Sequence, residues 1–361
     1  MFALRTENME KLYVFFLLMI ALNVSGQKVQ YRVAIVGFYN LENFYDTIDN
    51  PIVNDNEFTP KGEKNYTGKI YWKKVKNLAT VVSQIGTDIS PDGVALLGVA
   101  EIENDTVLND LVHHPLLVQR NLKIVHYDSK DLRGVDVGLL YNPKYFTPEK
   151  SDKLFIKLPN STEDKPRYTR DVLWVQGKLD GETINIYVNH WPSRLGGEVR
   201  SSPGREAAAL VCKKHIDSLA AIDPNQKVII MGDLNDDPIS PSLKAVLRTR
   251  GNKDDVRKGG LYNPWVDMYN NGLGTLGYQD AWSLFDQIII SYPWLSKEQS
   301  GFFFQKQYIF NKEYLVENIG RFKNYPMRTW DGNTYREGYS DHFPTYLVFL
   351  KKIVATQAAT K

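Results

Sequence analysis

Short apolar runs recur along the chain. They are Arg32–Tyr39, Val94–Ala100, Leu122–Tyr127, Val137–Tyr141, Val172–Leu179, Thr183–Val188, Lys227–Met231, Phe285–Ile290 and Thr345–Leu350. Runs of this length, rich in Val, Ile and Leu, predict strands, and the continuous ones predict strands covered on both faces. Asp180-Gly181, between Leu179 and Thr183, predicts a tight antiparallel hairpin. Helical spacing is rarer. Trp72, Val75, Leu78, Ala79, Val82 and Ile85 follow it. A second helix is predicted from Ser202-Pro203, a cap-like residue before a first-turn proline, through Ala207–Leu210 and Ile216 to Ala220. Asp237-Pro238 and Ser240-Pro241 mark a loop before a short helix near Ser242–Arg248. Residues 249–280 and 294–338 lack clean periodicity and are expected as long loop insertions. Hairpins mixed with crossovers predict an α/β (α+β) layered sandwich of mostly antiparallel sheets in one domain.

Composition narrows the classes. The chain has 361 residues, 43% hydrophobic and 24% charged, enough to bury a core without disulfides or a structural zinc. Its 44 basic and 42 acidic residues leave a net charge of +2. That argues against a basic protein that coats nucleic acid, while leaving room for a local basic cleft. The single cysteine, Cys212, excludes an intrachain disulfide and a Cys-rich zinc site. Beside Leu210 and Val211 in a predicted helix, it reads as a buried, inert thiol. Met9-Glu10-Lys11, the apolar run Leu12–Val24 and Ser25-Gly26-Gln27 read as a signal peptide over residues 1–26. The run is too short for a comfortable membrane span, and no cysteine follows it for a lipid anchor. The expected mature chain, 27–361, is exported to the periplasm, the outer surface or the extracellular medium, without a stable membrane span.

Chemistry-bearing residues cluster where strands end. Asn40 and Glu42 close the first apolar run on one side of an extended strand. They face a common site or cap the strand. Glu101 follows Leu96–Ala100, as a metal ligand or a cap for what comes next. Arg133 and Asp136 flank Gly134, placed to reach an anion, to orient a ligand, or to form a solvated turn. Asn189-His190-Trp191 ends another run, and a Gly-rich basic loop with Arg194, Arg200 and Arg205 follows, able to surround a phosphate. Asp233 and Asn235 share a face after Val228–Met231 and together can hold an attacking water and a phosphoryl oxygen. Asp286 is an acid inside an apolar strand, costly unless paired, and orienting a histidine would pair it. Ser340-Asp341-His342 precedes the last run as ligand and acid/base. Imidazoles, carboxylates and amides without a thiol point to an oxygen-ligated metal acting on a phosphate.

Taken in order, these strings resemble the endonuclease/exonuclease/phosphatase superfamily. Gly232-Asp233-Leu234-Asn235 and Ser340-Asp341-His342 are the best signatures, and the resemblance spans most of residues 31–350. It implies a four-layer sandwich, two packed sheets flanked by helices, and phosphoester hydrolysis dependent on Mg²⁺ or Mn²⁺. It implies Asn40 and Glu101 at the metal, with Glu101 the main ligand and Glu42 and Asp341 supporting the shell. Asp233 then positions or deprotonates water, and Asn235 contacts the phosphate. Asp286 orients a histidine and His342 touches the scissile phosphate, while His190 stabilises the phosphate or protonates the leaving oxygen. Two departures stand out: Ala100 where nuclease members often have Gln, and Gln287 where several relatives place Arg.

The leading expectation is an exported metal-dependent nuclease, with Arg133, Arg194 and Arg200 on the substrate phosphate and Trp191, Trp282 and Tyr-rich loops for stacking. A phosphatase or lipid phosphodiesterase on a small or membrane-bound ester is the second reading. A non-catalytic secreted binding protein is the third. Oligomeric state is not legible.

Overall fold

Alternation along the strands builds the layers. The computed structural model describes residues 29–159, 161–296 and 301–353, so the expected signal peptide lies outside the described residues. Residues Val33–Lys351 form one compact unit. Its strands are β1 (Gln30–Phe44), β2 (Leu96–Ile102), β3 (Lys123–His126), β4 (Asp136–Tyr141), β5 (Phe146–Leu154), β6 (Val172–Leu179), β7 (Glu182–His190) and β8 (Lys227–Asp233). They continue as β9 (Leu261–Tyr262), β10 (Leu276–Tyr278), β11 (Ala281–Ser283), β12 (Asp286–Ser291), β13 (Phe303–Ile309), β14 (Trp330–Asp331), β15 (Thr334–Tyr335) and β16 (Thr345–Ile353). One six-stranded sheet runs β13-β16-β1-β2-β4-β3, and the other β5-β6-β7-β8-β12-β9. The pairs β1–β2 and β7–β8 are parallel; β2–β4, β3–β4, β5–β6, β6–β7, β8–β12, β9–β12 and β13–β16 are antiparallel.

The inner faces meet in a dry core. Val36 and Phe38 of β1 and Leu139 of β4 join Ile186 and Val188 of β7 and Ile229 and Met231 of β8. Ile35, Tyr39, Leu97 and Val99 face outward beneath α1 (Gly68–Val82) and α2 (Asp105–Val112). Tyr187, Val228, Ile230 and Ile289 face outward beneath α3 (Glu198–Ala220). Continuous apolar runs were expected because both faces of each central strand are covered, and the resulting helix–sheet–sheet–helix stack is the four-layer sandwich. The Asp180-Gly181 hairpin joins β6 to β7, with φ of 47° and 86° at its two residues, the left-handed pair a tight hairpin requires. Cys212 is buried on α3, and its thiol donates to Asn189 Oδ1 at 3.2 Å. Burial pushes that thiol up to about 12.

Some elements differ from the sequence expectation. α3 begins at Glu198 rather than Ser202 and carries Pro203 inside it. The extra turn is anchored by Ser201 Oγ donating to Gly197 O (2.7 Å) and Arg205 Nη2 donating to Glu198 O (3.0 Å). The stretch 294–338 supplies β13, an edge strand whose exposed Gln305 and Lys306 break the alternation. The stretch 249–280 supplies β9 and a short helix, α4 (Val266–Asn270). The turn near Ser242–Val246 is a single π-type turn. Among the described residues, no helix is long and apolar enough to cross a membrane.

Candidate active site

The chemistry-bearing strand ends converge on one edge of the sandwich. Register places His190 opposite Asp233 and Asp286 opposite Asp233, while Asn40 lies opposite Ala100, one residue before Glu101. Gly232 permits the close approach of β7 and β8: a Cβ there would collide with Asn189 O. Backbone strain gathers at the same edge. Glu42, Asn43, Glu101 and Asn235 all adopt left-handed φ, between 48° and 58°. Such conformations cost free energy and persist only where surrounding contacts enforce them.

Asp233 is the hub. Asn40 Nδ2 donates to its Oδ2 at 3.0 Å, across the two sheets, and Asn235 N–H donates to its Oδ1 at 3.0 Å. His190 Nε2 stands 3.6 Å and His342 Nε2 3.9 Å from Asp233 Oδ2. His190 Nε2 is also 3.8 Å from Glu101 Oε1. These gaps exceed hydrogen-bond length, so both rings face the acids without bonding them directly. His342 is held from behind by Asp286, with Nδ1 to Oδ2 at 2.7 Å, and its backbone N–H donates to Ser340 Oγ. Ligand atoms of Asp233, Asp286 and His342 lie within 4.8 Å of one another, a group able to hold a cation.

Glu101 is the extra residue of a bulge between Ala100 and Ile102. Its carboxylate takes Asn43 N–H at 2.9 Å and pairs with Arg133 Nη2 at 3.2 Å. Burial alone would lift its pKa; the Arg133 guanidinium above all, with the Asn43 N–H, overturns that and holds it well below the usual carboxylate range. Glu42 turns to a neighbouring segment, accepting Thr329 N–H (2.7 Å) and Trp330 N–H (3.3 Å). Burial raises its pKa, and the charge of Asp341 raises it further. Asp341 itself pairs with Arg328 at 3.0 Å. Acids crowded until one repels another's charge fit a site that takes a hard divalent cation.

The two histidines diverge. Burial and the Arg170 charge push His190 well below its ordinary pKa, which favours the neutral ring. Burial would lower His342 too, but Asp286, backed by Asp233 and Asp341, raises it well above, which favours the imidazolium. Asp233 is raised, first by burial and then by the Asp286 charge, against the pull of His342. Two imidazoles pushed in opposite directions and a carboxylate of raised basicity equip one cluster for proton transfer in both directions.

The structure gathers Asn40, Glu101, Arg133, His190, Asp233, Asn235, Asp286, Asp341 and His342 at this edge, with Glu42 just behind them. It uses other candidates differently. Arg194 ties Asn235 O (3.0 Å), Asp237 (3.0 Å) and Glu198 (3.1 Å) together and stacks over Phe285. Arg205 is fully buried against Asp236 at 2.6 Å and has no route to a phosphate. Arg200 is exposed on a groove with Arg167, Tyr168 and Arg170, beside the hollow rather than in it. Trp191 is buried, its indole donating to Asn189 Oδ1, and offers no stacking face.

Two residues went unread in the sequence. Lys74 is a buried lysine of α1, 3.7 Å from Glu42 Oε2 and donating to Thr329 Oγ1 and Tyr339 O. Its signal was visible: a lysine one residue before Val75 on the apolar stripe of an amphipathic helix. Arg170 is buried beside His190, pairing with Asp131 (3.2 Å) and donating to Trp191 O (2.8 Å). We expect Lys74→Met to cost about 3 kcal/mol, because it strands the Glu42 carboxylate. Urea unfolding measures this, and adding Glu42→Gln should restore part of the loss. A Lys74→Met protein as stable as wild type would remove the pair from the stability of the site.

The chain belongs to the endonuclease/exonuclease/phosphatase family, whose model matches residues 35–352. By class it is a phosphoester hydrolase. An endonuclease/exonuclease/phosphatase family protein from Bacteroides thetaiotaomicron superposes with a TM-score of 0.54 at 15% identity, covering 92% of this chain and 100% of that one. A mannosyl-6-phosphatase from the same organism gives 0.51 at 15% identity, covering 89% and 100%. D. rerio TDP2 complexed with single strand DNA product gives 0.50 at 11% identity, covering 87% and 98%. No curated protein matches the chain.

Proposed function

We propose that this protein hydrolyses phosphodiesters of nucleic acid with Mg²⁺ or Mn²⁺ as cofactor. The observation that carries the reading is the convergence on Asp233 of Asn40, His190 and His342, from separate strands and a loop of both sheets. Glu101 would hold the cation, with Glu42 and Asp341 adding charge to its shell and Asn40 linking that shell to Asp233. A bound divalent ion supplies polarisation of the phosphoryl oxygen and relief of developing charge.

The protein's own groups do the rest. Asn40 and the Asn235 N–H orient the Asp233 carboxylate, which takes a proton from water aimed at phosphorus. Asn235 is fixed by donating to Trp191 O at 3.0 Å, keeping its amide at the hollow's rim. His342, aimed by Asp286, places an N–H on the phosphoryl group, and His190 Nε2 faces the same Asp233 oxygen. With the reactants so positioned, in-line displacement needs mainly orientation and charge stabilisation. The nucleic-acid reading is supported by the adjoining groove, where the exposed Arg167 and Arg200 stand beside Tyr168, a backbone-tracking and stacking combination. It is also supported by the D. rerio relative with single strand DNA product.

The deciding experiment is a substrate panel on the purified protein: single- and double-stranded DNA, RNA, an activated bis-ester, a monoester and a phospholipid. Nucleic acid and bis-ester should be cleaved with Mg²⁺ or Mn²⁺, and excess EDTA should stop the reaction. Full activity in EDTA rejects the metal. Turnover of the monoester or phospholipid alone selects the phosphatase or lipid phosphodiesterase reading, and no turnover of any ester selects the binding protein.

A further inference from the structure

We propose that His126, Asp128 and Asp136 form a second cation site, suited to Zn²⁺, on the helix-covered face of the first sheet. His126 Nε2 lies 3.7 Å from Asp136 Oδ2 and 4.0 Å from Asp128 Oδ1, and one ligand atom from each residue falls within a 4.8 Å group. Nitrogen and oxygen ligands about 2.0–2.2 Å from a tetrahedral Zn²⁺ stand about 3.4 Å from one another. A small swing of Asp128, whose side chain is 85% exposed, closes the difference.

The decisive observation is the ring itself. The His126 side chain is only 2% exposed, yet its Nε2 is buried without a hydrogen-bond partner. Its other nitrogen, Nδ1, sits 2.8 Å from Asp105 Oδ1. That contact fixes the ring with Nε2 facing the carboxylates of Asp136 and Asp128. Nε2 lies beyond hydrogen-bond length from both carboxylates, and a cation drawn into the gap would be ligated by all three. A carboxylate behind the imidazole, which orients the ring and raises its basicity, is the supporting arrangement of metal-ligating histidines. Asp136 is held in place as well, its Oδ1 accepting Ser129 N–H at 2.9 Å. An imidazole ligand favours Zn²⁺ over Mg²⁺ or Ca²⁺.

This site lies on the opposite face of the sheet from the catalytic cluster. His126 lies opposite Gly138, and Asp136 is two residues before Gly138 on the same face of β4. A Cβ on Gly138 would meet Leu108 of α2, which identifies that face as the helix side. Ile102, opposite Asp136, packs in the same outer cluster. Glu101 bulges out of that register and turns its carboxylate to His190 of the other sheet. With Asp105 the first residue of α2, a bound ion clamps the β3–β4 hairpin to that helix.

The test titrates the whole protein with Zn²⁺ alone. Wild type should retain one more equivalent after gel filtration than His126→Gln. Added Zn²⁺ should also slow amide exchange in residues 123–138 of wild type, a readout that needs no variant. Asp128→Asn, at an exposed position, should weaken that protection at least about tenfold in Zn²⁺ concentration. Equal zinc content in wild type and His126→Gln, unchanged exchange at 123–138, or unaltered Zn²⁺ response in Asp128→Asn would each overturn the site.

Discussion

Asp233→Asn should keep its fold and lower kcat about 10³-fold with little change in KM. The amide preserves shape and still meets Asn235 N–H, but it cannot accept a proton from water. The Asn40 amide, which donates to the native carboxylate, then faces a group that is itself part donor, so some loss of positioning adds to the loss of the base. Because Asp233 is raised by burial and by the Asp286 charge, its protonation sets the acid limb of the wild-type profile. The variant should show a flat residual rate there. Steady-state kinetics on a bis-ester with circular dichroism as the folding control measures this; a kcat within tenfold of wild type would remove Asp233 from proton transfer.

Asp286→Asn should cost about 10²–10⁴ in kcat without touching substrate. Asp286 is fully buried, one residue behind the reacting groups, and its work is done through His342 Nδ1. Burial alone would depress His342; Asp286 lifts it well above about 6.5, the ordinary histidine value. Wild-type activity that needs the imidazolium therefore persists through neutral pH and falls as pH rises through that elevated value. Without Asp286 the limb moves to lower pH. Stability follows the same sign: a raised folded-state pKa contributes fully below about pH 6.5 and fades as pH climbs through the raised value. The stability gap between wild type and variant should be widest near pH 6 and narrow in alkali, as urea unfolding across pH can measure. An unshifted rate profile would leave Asp286 a purely structural acid.

Which parts were legible follows from what writes a linear signal. Central strands such as β1, β7 and β8 are covered on both faces, so their apolar runs are unbroken and end abruptly at polar site residues. That abruptness marked Asn40, His190 and Asp233. β5 escaped notice because it is an edge strand with exposed Glu149, Asp152 and Lys153. α2 escaped because eight residues make too short a stripe, although Asn104 caps it by accepting Val107 N–H. Side-chain direction was less legible than position. Glu42 shares a strand end with Asn40, yet its left-handed backbone aims it at Thr329 rather than at the hub. Arg194 and Arg205 sat in a basic Gly-rich loop, but Asp236 and Asp237, also nearby in space, claim both.

The lone thiol has a practical consequence. Cys212 lies on the buried face of α3 with its hydrogen committed to Asn189, and no other sulfhydryl exists in the sequence. A cysteine introduced at Arg200 or Arg167 on the rim would be the sole reagent-accessible handle on the folded molecule. Fluorophores or spin labels could therefore be attached there to follow ligand docking in real time, with the native background left intact.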